Sequence, residues 1–126
     1  MGESATIEHA TGRTWPVMKR IEAVVRRDKL ADVKLALAAV PHINLTACDT
    51  TEHDPQGGTE VRYRNNCSVC DMTPRVSISV ILDDADASAA LDAIVRAART
   101  GRDGDGTIVV VPVEQLIQVS DVAAVA

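Results

Sequence analysis

Phenylalanine is absent, and the 126 residues include a single Trp and a single Tyr. A core must therefore be packed from Val, Ile, Leu and Ala, and aromatic platforms for stacking nucleic-acid bases are missing. Positive charge is also short: 13 Lys and Arg stand against 18 Asp and Glu, a formal net charge of −5. Polyanion binding draws its affinity from clustered cations, so neither DNA nor RNA is an expected partner. No run of eighteen apolar residues exists, which leaves no candidate membrane-spanning helix. The N-terminus carries neither a basic cap ahead of an apolar stretch nor a small-residue cleavage site, and a cytoplasmic protein is expected. Three cysteines, an odd number in a reducing compartment, do not make a structural disulfide framework.

What is present, 46% apolar and 25% charged residues, fits one globular domain. A chain this long buries about two thirds of its unfolded surface, so folding needs neither a disulfide nor a metal. Residues 1–17 show no helical or strand period and read as a loose extension, with the domain proper spanning 18–126. Over 19–26, Ile21, Ala23 and Val25 alternate as in a strand. Asp28 is placed to cap a helix carrying Leu30, Val33, Leu37 and Val40, which Pro41 stops. Ile43, Leu45 and Ala47 alternate in a second strand, and residues 49–74 then lose all periodicity, the mark of a long functional or mobile loop. Val76, Ile78 and Val80 give a third strand. Asp83 or Asp84 caps a second helix with the stripe Leu91, Ile94, Val95 and Ala98, closed by Gly101 at its C′ position. Ile108–Val111, apolar on both faces, reads as a buried strand. The order βαββαβ specifies an α+β, ferredoxin-like fold, an antiparallel sheet with two helices on one face.

The stretch Thr100-Gly101-Arg102-Asp103-Gly104-Asp105-Gly106 lies between a helix end and a strand. Three glycines let backbone N–H groups approach an anion, and Arg102 adds a charge. The spacing is neither a Walker loop nor a dinucleotide fingerprint, and an αβ loop whose glycines only turn the chain is the competing reading.

These residues resemble the PII family of signal-transduction proteins, trimeric ferredoxin-like regulators that bind adenine nucleotides in clefts between subunits. The likeness runs from residue 18 to about 120. MKRIEAVVRRDKLADVKLAL is similar to the family's opening strand and helix, and TGRDGDGTIVVVPVEQLI to its phosphate-binding B-loop, next strand and C-terminal segment. The resemblance implies that Val24, Thr46 and Ile81 line the nucleotide pocket and that Arg102, Gly104, Asp105 and Gly106 hold the phosphates. It implies that residues 52–70 form the T-loop, a mobile arm that touches a membrane transporter or a metabolic enzyme. Gln56 stands where a glutamine of typical members helps bind magnesium and 2-oxoglutarate, and Arg75 where a basic residue follows the loop.

The departures bear on ligand choice. Thr107 replaces the lysine that usually follows the glycine core, and Gln118 and Ser120 replace two arginines that reach the phosphates of a neighbouring subunit. Each charge-assisted contact is worth on the order of 1.5–3 kcal/mol, so ADP or AMP is favoured over ATP, and magnesium-dependent 2-oxoglutarate sensing is weakened. Ser68 falls near the tyrosine that some members modify, while Tyr63 matches an earlier one. Together these features resemble a divergent PII-like branch, some of whose members accompany carboxysome or bicarbonate-transport genes and respond to bicarbonate with adenine nucleotides.

Cys67-Ser68-Val69-Cys70 is a CxxC within the loop. Two thiols at this spacing suit a redox pair or half of a soft-metal site, but no second CxxC completes a zinc tetrad, and an inert pair is the third reading. His9, His42 and His53 read as solvated or turn histidines, and Asp83, Asp84 and Asp86 as an acidic helix start. Ser77 and Ser79 sit inside a strand with no strained elbow, so a hydrolase triad is unsupported. The expectation is a homotrimeric regulator, not an enzyme, with no obligatory metal; the competing function is a metal- or redox-sensing module built on Cys67 and Cys70.

Overall fold

The computed structural model describes residues 6–8, 14–53, 59–63, 66–70 and 72–121, with side chains over 17–53 and 72–120. In chain order the strands are β1 (Thr6–Glu8), β2 (Thr14–Pro16), β3 (Met18–Val25), β4 (Ile43–His53), β5 (Thr59–Tyr63), β6 (Asn66–Cys70), β7 (Met72–Asp83) and β8 (Gly106–Val113). The helices are α1 (Leu30–Leu37) and α2 (Asp84–Ala98). Strands β3, β4, β7 and β8 form one antiparallel sheet in the order β4-β7-β3-β8. With α1 after β3 and α2 after β7 it is the βαββαβ ferredoxin-like arrangement. Two separate hairpins accompany it, β1 with β2 inside the expected extension, and β5 with β6.

Period-two alternation decides which side of the sheet is covered. Ile21, Ala23 and Val25 of β3 stand opposite Val80, Ile78 and Val76 of β7, and all six are buried. Val33 and Leu37 of α1 with Ala87, Ala90, Ile94 and Ala98 of α2 close over them. Each fully buried Ile or Leu here contributes roughly 1.5–3 kcal/mol. The other face, carrying Arg20, Glu22 and Val24 of β3 with Thr107, Val109 and Val111 of β8, has no helix over it.

Several local expectations are corrected. Asp28 does not cap α1: it lies in a 3₁₀ turn at Arg27–Lys29, and Lys29 holds the N-cap position. That helix ends at Leu37, so Val40 follows it and packs against the core from a turn. Ile43 does not share a face with Leu45 and Ala47. A register shift falls between Ile43 and Thr46, and Asn44 has φ 54°, a left-handed conformation its short polar side chain tolerates. In α2 the buried stripe runs Ala87, Ala90, Ile94 and Ala98, whereas Val95 is 41% exposed. Gly101 has the expected positive φ of 85° but stands two residues beyond the C-cap Arg99. Strand β8 is an edge, not a buried strand, with Val109 52% and Val110 42% exposed.

The largest correction concerns the long aperiodic stretch. Asp49–His53 pairs with Met72–Val76, and β3 reaches β7 no farther than Val25 opposite Val76. Beyond that row β4 and β7 continue as a two-stranded stalk. Polar residues on both sides of a two-stranded ribbon erase the alternation by which strands are recognised.

Candidate functional site

The glycine turn leaves α2 through Arg99 and re-enters the sheet at Gly106, opposite Val25. Asp105 holds it shut. Its carboxylate accepts hydrogen bonds from the backbone N–H of Thr100 (2.9 Å) and of Gly101 (3.1 Å) and from the Thr100 hydroxyl. Arg26 Nε donates to the same carboxylate at 3.3 Å, and the Arg26 terminal nitrogen donates to the Asp103 carbonyl at 2.8 Å. The Thr100 hydroxyl also accepts the Arg102 N–H at 3.2 Å. The Thr100 hydroxyl bond foremost, then the Thr100 N–H, with smaller help from Arg26 and Gly101, holds the Asp105 carboxyl well below the usual carboxylate range. Both Asp105 oxygens are thus engaged within the turn, and what Asp105 offers an anion site is backbone shape. The N–H groups of Asp103 and Gly104 take no part in these bonds.

Gly106 is where the turn touches the sheet most closely. Its φ is +128°, and a Cβ there would come within 2.2 Å of the Val24 carbonyl oxygen. Around Gly104 two guanidinium groups converge. A Cβ on Gly104 would lie 3.2 Å from an Arg75 terminal nitrogen and 3.7 Å from that of Arg26. The sheet register explains this convergence. Val25 stands opposite Val76 of β7 and Gly106 of β8, so the next residues outward are Arg26, Arg75 and Asp105, and Arg75, one residue past the buried Val76, falls on the uncovered side of the sheet. Arg75 is held from the other side by Glu52. Its Nε lies 3.9 Å from Glu52 Oε2, its side chain is 11% exposed, and neither of those two atoms has a hydrogen-bond partner among the described residues. Arg27 braces the row, donating to the Arg75 carbonyl at 3.2 Å and lying 3.6 Å from Asp49.

Of the residues singled out in the sequence, Val24 and Thr107 are direct cross-strand partners one row inward from Arg26. Thr46, opposite Ser79, is a further row away on β4, and Ile81, opposite Arg20 and Ile43, is two rows away. With strands about 4.8 Å apart, Thr46 and Thr107 are separated by three strand steps, roughly 14 Å. One chain therefore gathers Val24, Arg102, Gly104, Asp105, Gly106 and Thr107 at one end of the sheet and leaves Thr46 and Ile81 apart on the same face. Gln118 and Ser120 follow β8 and are exposed. Gln56 lies outside the described residues.

Cys67 and Cys70 stand in β6 opposite Arg62 and Thr59. Three extended residues span about 10 Å, beyond the roughly 4.4–6.8 Å between Cα atoms that a disulfide requires. Among the described residues no group of three or more His, Cys, Asp or Glu is arranged to hold a metal ion. Asp84 of the acidic run meets Lys19 at 3.8 Å, and its N–H donates to the Val17 carbonyl at 2.9 Å, which anchors α2 to the start of β3.

Arg26 and Glu52 were not singled out from the sequence. The signal for Arg26 was its place directly after the apolar strand, at the row where the glycine turn rejoins the sheet. On the helix side of the turn there is a recess of about 290 Å³ lined by Val25, Val95, Ala98, Arg99, Asp105, Gly106 and Ile108. Neither Arg26 nor Arg75 lines it.

Comparison with known proteins agrees with this architecture. The family model described as nitrogen regulatory protein P-II matches residues 18–122. The chain is 41% identical over 102 residues to a nitrogen regulatory protein P-II of Cereibacter sphaeroides, and 39% identical over 102 residues to one of Azospirillum brasilense. Each match covers 81% of this chain and 91% of the relative. Among solved structures, that of Arabidopsis thaliana PII bound to citrate superposes with a TM-score of 0.66 at 23% identity, covering 83% of this chain and 85% of that one. No helix among the described residues is long and apolar enough to cross a membrane.

Proposed function

The chain belongs to the nitrogen regulatory protein P-II family, and from that premise we propose that it is a signalling regulator whose glycine turn holds the phosphates of an adenine nucleotide. The observation that carries this reading is the convergence of Arg26 and Arg75 on Gly104, where no side chain intervenes. Two guanidinium groups brought beside exposed backbone N–H groups cost repulsion that an anion relieves, and forked donors match phosphate oxygens. Thr107, Gln118 and Ser120 remove three cations that a typical member applies to the phosphates. Arg26 and Arg75 supply two at the turn itself, which suits ADP or AMP better than ATP.

Val24 and Thr107 would form one wall of the nucleotide pocket. Thr46 and Ile81 are too far along the sheet to complete it within one chain, so the opposite wall comes from a second copy. The uncovered sheet face, with Val24, Val109 and Val111, and the exposed Ile117 and Val119 supply apolar surface for a homotrimer. Occupancy would act on the β4–β7 stalk through Arg75, and from there on residues 52–70, whose readout is docking to a transporter or a metabolic enzyme. A bicarbonate response belongs to the same proposal. The strand placement of Cys67 and Cys70 disfavours the competing redox or metal module.

Calorimetric titration with AMP, ADP and ATP tests the reading, with sedimentation for the assembly. Saturable binding with ADP or AMP at least as tight as ATP is the expected result. No binding of any of the three at millimolar concentration would discard it.

A further inference from the structure

Resting on that reading, we propose that Glu52 is a built-in competitor for Arg75: its carboxylate holds the guanidinium until an anion at the glycine turn draws it away, and so sets the charge preference of the site. Glu52 pairs with Thr73 and Thr50 with Arg75, which makes Glu52 and Arg75 diagonal neighbours across β4 and β7 on the same side of the ribbon. At that diagonal, about 7–8 Å between backbones, long side chains meet.

Their contact is loose. At 3.9 Å between Nε and Oε2 it is an ion pair without a hydrogen bond, and both atoms are enclosed with no other partner among the described residues. The other two arginines of the row are better occupied. Arg26 donates to Asp105 and to the Asp103 carbonyl, and Arg27 donates to the Arg75 carbonyl beside Asp49. Arg75 is the cation nearest Gly104 and the one whose engagement an incoming phosphate disturbs least.

Two consequences follow from charge alone. A carboxylate at this distance from Arg75 neutralises part of the attraction an anion would feel, and it repels the anion directly. Both effects grow with ligand charge, so Glu52 disfavours a triphosphate more than a monophosphate. Because Glu52 belongs to β4, its release is also a change in the stalk, which joins anion binding to the arm beyond it.

The test uses the full chain as wild type, Glu52→Gln, Arg75→Gln and the double variant, titrated calorimetrically with AMP, ADP and ATP. Glu52→Gln is expected to bind ADP about tenfold more tightly, with a larger gain for ATP than for AMP. In the Arg75→Gln background the gain should largely disappear, which locates it in the pair. Glu52→Met, also uncharged and of similar length, repeats the measurement should the amide variant not fold. If wild type binds nucleotide and neither neutral variant alters its affinity or the ratio between ATP and AMP, the role of Glu52 is refuted while the nucleotide reading stands. If no variant binds any of the three, the nucleotide reading itself falls, and this inference with it.

Discussion

Replacing Gly106 by Ala tests whether the turn is as tightly docked on the sheet as its geometry states. Two costs add. The residue holds φ +128°, where an L side chain is strained by about 1–3 kcal/mol. Its new Cβ would also sit 2.2 Å from the Val24 carbonyl oxygen and 3.1 Å from Val25 Cα, all backbone that cannot rotate away. An ordinary carbon–oxygen approach is about 3.3 Å, so the start of β8 must retreat by roughly 1 Å from the strand it pairs with. Overpacking of that kind costs about 1–3 kcal/mol. The sum, about 2–6 kcal/mol, is a large part of the 5–15 kcal/mol typical of a domain and lowers the melting temperature by roughly 8–24 °C. Gly101→Ala is the control, since φ is +85° but nothing lies within 4 Å of the added methyl. Only the backbone term remains, about 1 kcal/mol and roughly 4 °C. Thermal unfolding by circular dichroism at one protein concentration separates them, concentration being fixed because association adds its own stability. Equal melting temperatures for the two variants would refute the close approach of turn and sheet.

Arg26→Gln removes donors to Asp105 and to the Asp103 carbonyl, and the expected loss in ADP affinity is tenfold or more, read by calorimetry. Ile94→Ala empties a buried site between α2 and the sheet and should cost about 2–5 kcal/mol in urea unfolding, with no change in nucleotide preference. Asp105 has its folded-state pKa depressed, so its stabilising contribution is full above the unfolded value near 3.9 and fades as pH falls toward the folded value. The stability gap between wild type and Asp105→Asn should therefore hold steady from pH 8 to 5 and close below about pH 4. A gap that widens in acid would contradict the turn network.

The core of this fold was legible because it obeys simple periods. Ile21, Ala23 and Val25 against Val76, Ile78 and Val80 alternate without a fault, and the central strands β3 and β7 carry them. Legibility failed where burial is one-sided or absent. Asp49–His53 is polar throughout, and Met72–Arg75 opposite it adds only Met72 and Pro74 as apolar residues, so no alternation marks the stalk as strands. The apolar run Ile108–Val111 reads as buried because nothing in a single sequence distinguishes an apolar edge strand from a central one. At the site, glycine spacing identifies the turn, but no spacing shows that the Asp105 oxygens are engaged by Thr100, Gly101 and Arg26. Arg26 was hidden for a geometric reason: 79 residues separate it from Asp105, and only strand register brings them together.

That register also limits how an event at the turn can reach the stalk. Strand β7 lies between β4 and β3, and its inward residues Val76, Ile78 and Val80 are buried. A sliding β7 would move its whole apolar set across the pleat and lose the core, which no small-molecule ligand could offset. The backbone must therefore stay fixed while side chains on the uncovered side rearrange. Arg75 is suited to carry such a change, since its backbone is anchored by Arg27 and by the row of Thr50, while its guanidinium lies between Glu52 and Gly104. A rotation about its side-chain bonds exchanges a partner on the stalk for one at the turn without shifting a strand. The coupling should then be lost in Arg75→Gln even though the sheet, and with it the melting temperature, is left nearly intact.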